Sequence, residues 1–256
     1  MPSNLETLST YLDVVDLIPQ LYDEEDENFP VLSPQKIRDI IWKNDAQLRS
    51  QLKNYYGPDL TSTPRLGTPH PGRGYTGTAQ LSGSEPGGEE ITIADNTAVE
   101  TQVYKFTFTS ATAFDCTSDL TGTQGSGTTP VTFTTTDTYL GVHTDLWSGT
   151  FATGDIWYVP VYNCEGMTSH LSSLISAVYI LNTIYTEEVP DASATATKYE
   201  TIYNRLIRAL QRGVIFLEKD LTSRDLDPIQ VDYEIDIYGR DVTNYQDADW
   251  SRRNVS

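Results

Sequence analysis

Three histidines, two cysteines and several carboxylate pairs are the side chains of this 256-residue chain whose types could do metal, nucleophilic or acid–base chemistry. His70 sits in the Pro/Gly-rich "TPHPGRG", His143 in a loop and His170 at the start of a helical pattern. None has an acidic or thiol partner at ligand spacing, whereas zinc or non-haem iron needs three or four converging ligands. No metal site is expected. Cys116 and Cys164 are too far apart for a CxxC pair and too few for a disulfide scaffold, so both are expected to be reduced thiols. Glu89 with Glu90, Glu187 with Glu188, and the run Asp23 to Glu27 place carboxylates side by side. Glycosidase chemistry instead needs two facing each other across a cleft, one with its pKa raised by burial, so these read as solvated acidic loops. Asp115 and Asp119 in "DCTSD" offer hard oxygens that calcium favours, without the spacing of an EF-hand loop. The chain carries no GxGxxG opening a helix, no GxxxxGK[ST] and no GxSxG. Nothing in it calls for catalysis or a cofactor. Trp147, Trp157, Tyr158, Tyr75 and Tyr139 either line a sugar-binding face or fill a β core, and aromatics in small sandwiches more often do the latter.

Charge raises a different question. The formal net charge is -19 and the pI about 4.3, which argues against attraction to a phosphate backbone. Yet Arg205, Arg208, Arg212 and Lys219 fall together in "YNRLIRALQRGVIFLEKD". No apolar run approaches the roughly 20 residues of a membrane-spanning helix, and "MPSNLETLST" lacks the basic start and apolar stretch of a signal peptide. A chain made in the cytoplasm, without membrane attachment, is expected.

The elements that must hold these residues follow from periodicity. Leu8, Leu12, Val15 and Ile18 keep helical spacing ahead of the acidic "YDEEDENFP". "SPQKIRDIIWKNDAQLRSQLKNYYGP" predicts a long helix capped by Ser33, opened by Pro34 and stopped at Gly57, with Ile37, Ile40, Ile41, Leu48, Leu52 and Tyr55 inward. The composition then turns to Gly, Ser, Thr and Pro. "EITIA", "QVYKFTFTS", "PVTFTTT" and "DIWYVPVY" predict strands of a small sandwich or barrel. Helical pattern returns at Leu171, Leu174, Ile175, Val178, Leu181 and Tyr185, and again, after Pro190, at Tyr199, Ile202, Tyr203, Leu206, Ala209 and Leu210. On that last helix Arg205, Arg208 and Arg212 share the face opposite the apolar stripe. Near the end, Val231, Tyr233, Ile235 and Ile237 alternate with Asp232, Glu234 and Asp236, an amphipathic strand that must join an edge of its own sheet or a neighbour's.

The expected fold is α+β. A helical bundle of about four helices, residues 1–62 and 165–227, is interrupted by an inserted β-sandwich or barrel domain, 63–164, and followed by an extended arm, 228–256.

With these pieces placed, the chain resembles the head-tail adaptor, or head-completion, proteins of tailed bacteriophages. The likeness lies in "LDVVDLIPQL", in the long helix with its Tyr-Tyr-Gly turn, in "HLSSLISAVYILNTIY", and in "KYETIYNRLIRALQRGVIFLEKD" with its stop at Gly213 and the apolar Val214 to Leu217. The chain departs from that pattern by inserting roughly a hundred residues between the helices. The insert, through "YTGTAQLSG", "FTFTSATAF" and "FATGDIWYVPV", is similar to Gly/Thr-rich β modules of phage structural proteins. The resemblance implies a virion protein of the neck with no enzymatic role: a ring of twelve copies docked on the portal protein, joined to downstream neck and tail-completion proteins. Genomic DNA would pass through its channel without sequence-specific binding, and an acidic lumen would suit that passage. The subunit or portal interface is expected at Arg205, Arg208 and Arg212, at Val231, Tyr233, Ile235 and Ile237 of the arm, and at Trp250. For the arginines themselves, a solvated face and contact with passing DNA stand as the other readings. The competing reading of the whole chain is an oligomeric binding protein whose β domain recognises a glycan or host surface.

Overall fold

A capping box starts the first helix: Asp13 Oδ2 accepts from the Thr10 backbone N–H at 2.8 Å while Thr10 Oγ1 accepts from that of Asp13 at 3.3 Å. The computed structural model describes residues 6–18, 21, 32–57, 59–72, 80–81, 91–93, 99–129, 131–142, 147–148, 151–183 and 192–217. Among the described residues there are four α-helices: α1 (Tyr11–Leu17), α2 (Pro34–Tyr56), α3 (Gly166–Thr183) and α4 (Ala192–Gln211). On α2 the Ser33 hydroxyl accepts from Lys36 N–H at 3.3 Å, and Gly57, at φ 82°, closes the helix in the left-handed region that favours glycine. Ile37, Ile40, Ile41, Leu48 and Leu52 are buried as their spacing predicts, but Tyr55 is 50% exposed. Its neighbour Tyr56 turns inward instead, donating to the carbonyls of Leu210 and Ile215 at 3.2 and 3.4 Å. On α4 the buried line runs through Ala192, Ala196, Tyr203, Ile207 and Leu210, leaving Ile202 and Leu206 only partly covered.

Between α2 and α3 the chain forms strands β1 (Arg65–Leu66), β2 (His70–Pro71), β3 (Gln80–Leu81), β4 (Ile91–Ile93), β5 (Gln102–Phe108), β6 (Ala113–Ser118), β7 (Gly122–Thr128), β8 (Phe133–Thr134), β9 (Leu140–Val142), β10 (Trp147–Ser148) and β11 (Ile156–Tyr162). All pair antiparallel. The main sheet runs β1-β11-β5-β6-β7, with β2 also on β11, and the smaller ones run β4-β9-β8 and β10-β3. These are open sheets with no closed barrel among the described residues, so the barrel alternative gives way to an α+β arrangement of antiparallel sheet and helices.

Alternation decides what each face of the main sheet does. Tyr104, Phe106 and Phe108 of β5, with Trp157, Val159 and Val161 of β11, join Phe133, Leu140 and Val142 in one core. Val103 and Tyr158 point the other way, into a core built from Leu12, Val15, Ile37, Ile41 and Ile180 of the helices. β11 is therefore buried on both faces and β5 at its start, with helices over one face and the small sheet over the other, while Lys105 and Thr107 of β5 are half-buried. Polar bonds reinforce the helical side. Arg38 of α2, 3% exposed, pairs with Asp119 at 3.1 Å and donates to the Thr101 carbonyl at 2.9 Å. Ser62 N–H donates to the Asn163 carbonyl at 2.8 Å, so the chain enters and leaves the β segment at adjacent points. Residues 1–223 form one compact unit, in which the β segment keeps a core of its own and adds Val103 and Tyr158 to the helical one.

Candidate functional site

α4 fixes the arginines by the same periodicity that buries its opposite side. Tyr203, Ile207 and Leu210 anchor it to Leu48, Leu52, Leu171 and Leu174, and Tyr203 donates to Gln51 Oε1 at 2.7 Å. Arg205, Arg208 and Arg212 are exposed on the outer side, where Lys198 and Thr201 are exposed as well. None of the four cations joins an ion pair among the described residues, where Arg38 with Asp119 is the pair formed. The C-terminal position of Arg208 and Arg212 complements the helix dipole, which accounts for part of the row but not for Lys198 or Arg205. Beyond α4, Gly213 at φ 66° turns the chain, Val214 is 69% exposed, and Leu217 is buried against the helical core. The arm residues Val231, Tyr233, Ile235 and Ile237, and Trp250, lie outside the described residues.

A cleft of about 660 Å³ opens where α1 and α3 meet β1, β2 and β11, lined by Asp13, Asp16, Arg65, His70, Tyr162 and His170 among others. It brings together two histidines that are a hundred residues apart in sequence, which periodicity could not foresee. Asp13 Oδ1 accepts from the Tyr162 hydroxyl at 2.7 Å, and its other oxygen is held by the Thr10 backbone. Burial raises the Asp13 pKa above the ordinary carboxylate value despite these bonds, and burial together with the Asp13 charge raises that of Tyr162. Arg65 lies 4.0 Å over the Tyr162 ring and donates from Nε to the Cys164 carbonyl at 3.0 Å. His70 tilts against Tyr158 at 5.5 Å, and partial burial lowers the pKa of His170. Ser169 directs its hydroxyl to Asp13 at 3.5 Å and Ser173 to the His170 carbonyl at 2.8 Å, so neither is held by an imidazole. The polar groups here brace helix against sheet.

The remaining candidates take structural places. Asp119 is engaged by Arg38 and by Val103 N–H at 2.7 Å, while Asp115 accepts from Ser126 at 2.6 Å, so the two carboxylates of "DCTSD" serve different bonds. Among the described residues no group of His, Cys, Asp and Glu is arranged to hold a metal ion. Cys116 and Cys164 are buried free thiols whose pKa values burial pushes up, and Cys164 donates to the Leu8 carbonyl at 2.9 Å. Trp157 and Tyr158 are both buried and face opposite cores, which removes them from any sugar-binding face; Tyr139 packs partly buried on the sheet core. His143 and Tyr75 fall outside the described residues. No described helix is long and apolar enough to cross a membrane.

No protein-family model matches the chain, and no curated protein does. Among solved structures, two crystal forms of Xanthomonas campestris FlgL align with it at 12% and 13% identity and TM-scores of 0.29 and 0.28. The alignments cover 83% and 84% of this chain and 88% and 89% of that one. Likeness at that TM-score carries no inference about this protein.

Proposed function

We propose that this chain is a structural virion subunit, a head-tail adaptor that assembles into a ring, docks on the portal and links it to neck and tail proteins. The observation that carries the reading is the outer face of α4, where a row of cations stands exposed on an otherwise acidic protein. Arginine is favoured at protein interfaces because its planar fork pairs bidentately with carboxylates. The helical frame fits the same reading, since the Tyr-Tyr-Gly end of α2 is tied to the Gly213 turn after α4 through the Tyr56 hydroxyl. In such a ring the helices form the annulus, the arm reaches a partner, and DNA passes the acidic lumen without being read. Twelve copies is the expected number.

Electron microscopy of the purified full-length chain, alone and mixed with the portal of the same virion, tests this. Closed rings that seat on the portal are expected. A protein that neither closes into rings nor binds the portal is not an adaptor.

A further inference from the structure

The cleft between α1, α3 and the sheet edge contains an arginine whose fork is unused. Arg65 is fixed on two sides, its Nε donating to the Cys164 carbonyl at 3.0 Å and its guanidinium carbon standing 4.0 Å above the Tyr162 ring. Among the described residues its two terminal amino groups have no hydrogen-bond acceptor, and no carboxylate comes within ion-pair distance of them. Nη2 stands 4.0 Å from where a Cβ on Gly166 would lie, and α3 begins at that residue, so the helix end adds to the positive potential there. A guanidinium already immobilised in this way accepts a planar anion with little further loss of side-chain freedom.

The acids around it are engaged by other donors or exposed. Asp13 accepts at Oδ1 from the Tyr162 hydroxyl and at Oδ2 from the Thr10 backbone, and Glu165 Oε1 accepts from the Thr168 hydroxyl at 3.4 Å. Asp16 lines the cleft and is exposed. His70 of β2, its Nδ1 3.3 Å from the Pro71 carbonyl, and His170 of α3 add two imidazoles to the lining. One free fork, two imidazoles and an accessible carboxylate thus share about 660 Å³, room for several linked groups rather than a lone ion. A phosphate dianion would be repelled by Asp13 and Asp16. A single carboxylate carries less charge and matches the planar fork, and in a peptide it arrives with N–H donors that Asp16 accepts.

We propose that this cleft recognises an acidic peptide segment of a partner protein, a Glu or Asp side chain seated on the Arg65 fork and backbone N–H groups of the segment donating to Asp16. The imidazoles of His70 and His170 wall the seat. The site is distinct from the cation row of α4 and does not depend on the chain being an adaptor.

Saturation-transfer difference NMR on the full-length chain, at constant pH and ionic strength, tests it with the blocked tripeptide N-acetyl-Gly-Glu-Gly-amide as probe. Binding is expected, with the glutamyl methylenes most strongly saturated, and the glutamine counterpart should bind at least about tenfold more weakly. Arg65→Gln should abolish binding of the glutamate peptide at an unchanged melting temperature. Arg65→Lys, which keeps the charge without the fork, should weaken it. Should Arg65→Gln fail to fold, the lysine variant and the comparison of the two peptides still decide. No binding, equal binding of the glutamine peptide, or binding that survives loss of the fork each overturn the proposal. So does inorganic phosphate that binds more tightly than the peptide, or sodium acetate that displaces it at equal concentration, because the seat would then hold a small anion. No portal enters the measurement, so its failure leaves the adaptor reading as it stands.

Discussion

Asp45 shows what a buried carboxylate does to this fold. It is 1% exposed on α2, one oxygen accepting the Leu8 N–H at 2.7 Å and the other, Oδ1, without a hydrogen-bond partner, beside a seam where Ser9 and Ser172 share a hydrogen bond. Burial raises its pKa to about 6. The folded protein therefore binds this proton more tightly than the unfolded chain, and stability falls as the pH rises from about 4 to about 6, a loss of about 3 kcal/mol in full. Asp13, also raised by burial, acts in the same sense. Thermal unfolding of the wild type should accordingly peak near the acidic end of that window. Asp45→Asn keeps an acceptor for Leu8 and should flatten the profile, melting higher than the wild type at pH 8; a variant melting lower there would show the charge to be tolerated. Arg38 is a second buried charge on α2. Its burial was not legible, because one arginine in a helix rich in Lys and Arg carries no local mark of the Asp119 it meets 81 positions later.

The helices were largely readable, since period, caps and stops all lie within a few residues of one another. Ser33, Pro34 and Gly57 bound α2 where their chemistry places them. The β6–β7 hairpin was not readable, because "GTQGSGT" looks like turn material and strand propensity is set by what covers the strand. Here aromatic rings cover it. A Cβ built on Gly127 would come within 2.5 Å of Phe114 Cζ and 3.0 Å of Phe133 Cδ2, and those two rings meet edge-on at 5.3 Å. Glycine is thus the residue that lets the rings lie on the strand. Gly127→Val should cost about 2 kcal/mol by overpacking despite valine's better strand propensity, seen as a drop of several degrees in Tm. An unchanged Tm would mean that the rings move aside freely.

The break in composition after Gly57 suggested separable parts, and the sequence had no means of showing that Val103 of β5 and Tyr158 of β11 turn into the helical core. Removing residues 67–163 would uncover the apolar side of α1 and α2 that now meets Val103 and Tyr158, and would strand Arg38 without Asp119. The truncated chain is expected to aggregate or to lose its cooperative melt, measured by solubility and calorimetry; a soluble, sharply melting remnant would show the helices to be self-sufficient. The bond between Ser62 and Asn163 has a mechanical meaning. Tension applied along the chain between α2 and α3 passes across this short tie and bypasses the sheet, whose hundred-odd residues hold a slack of about 350 Å. While the tie holds, a subunit loaded through its helices stays short, and the β segment rides outside the line of force.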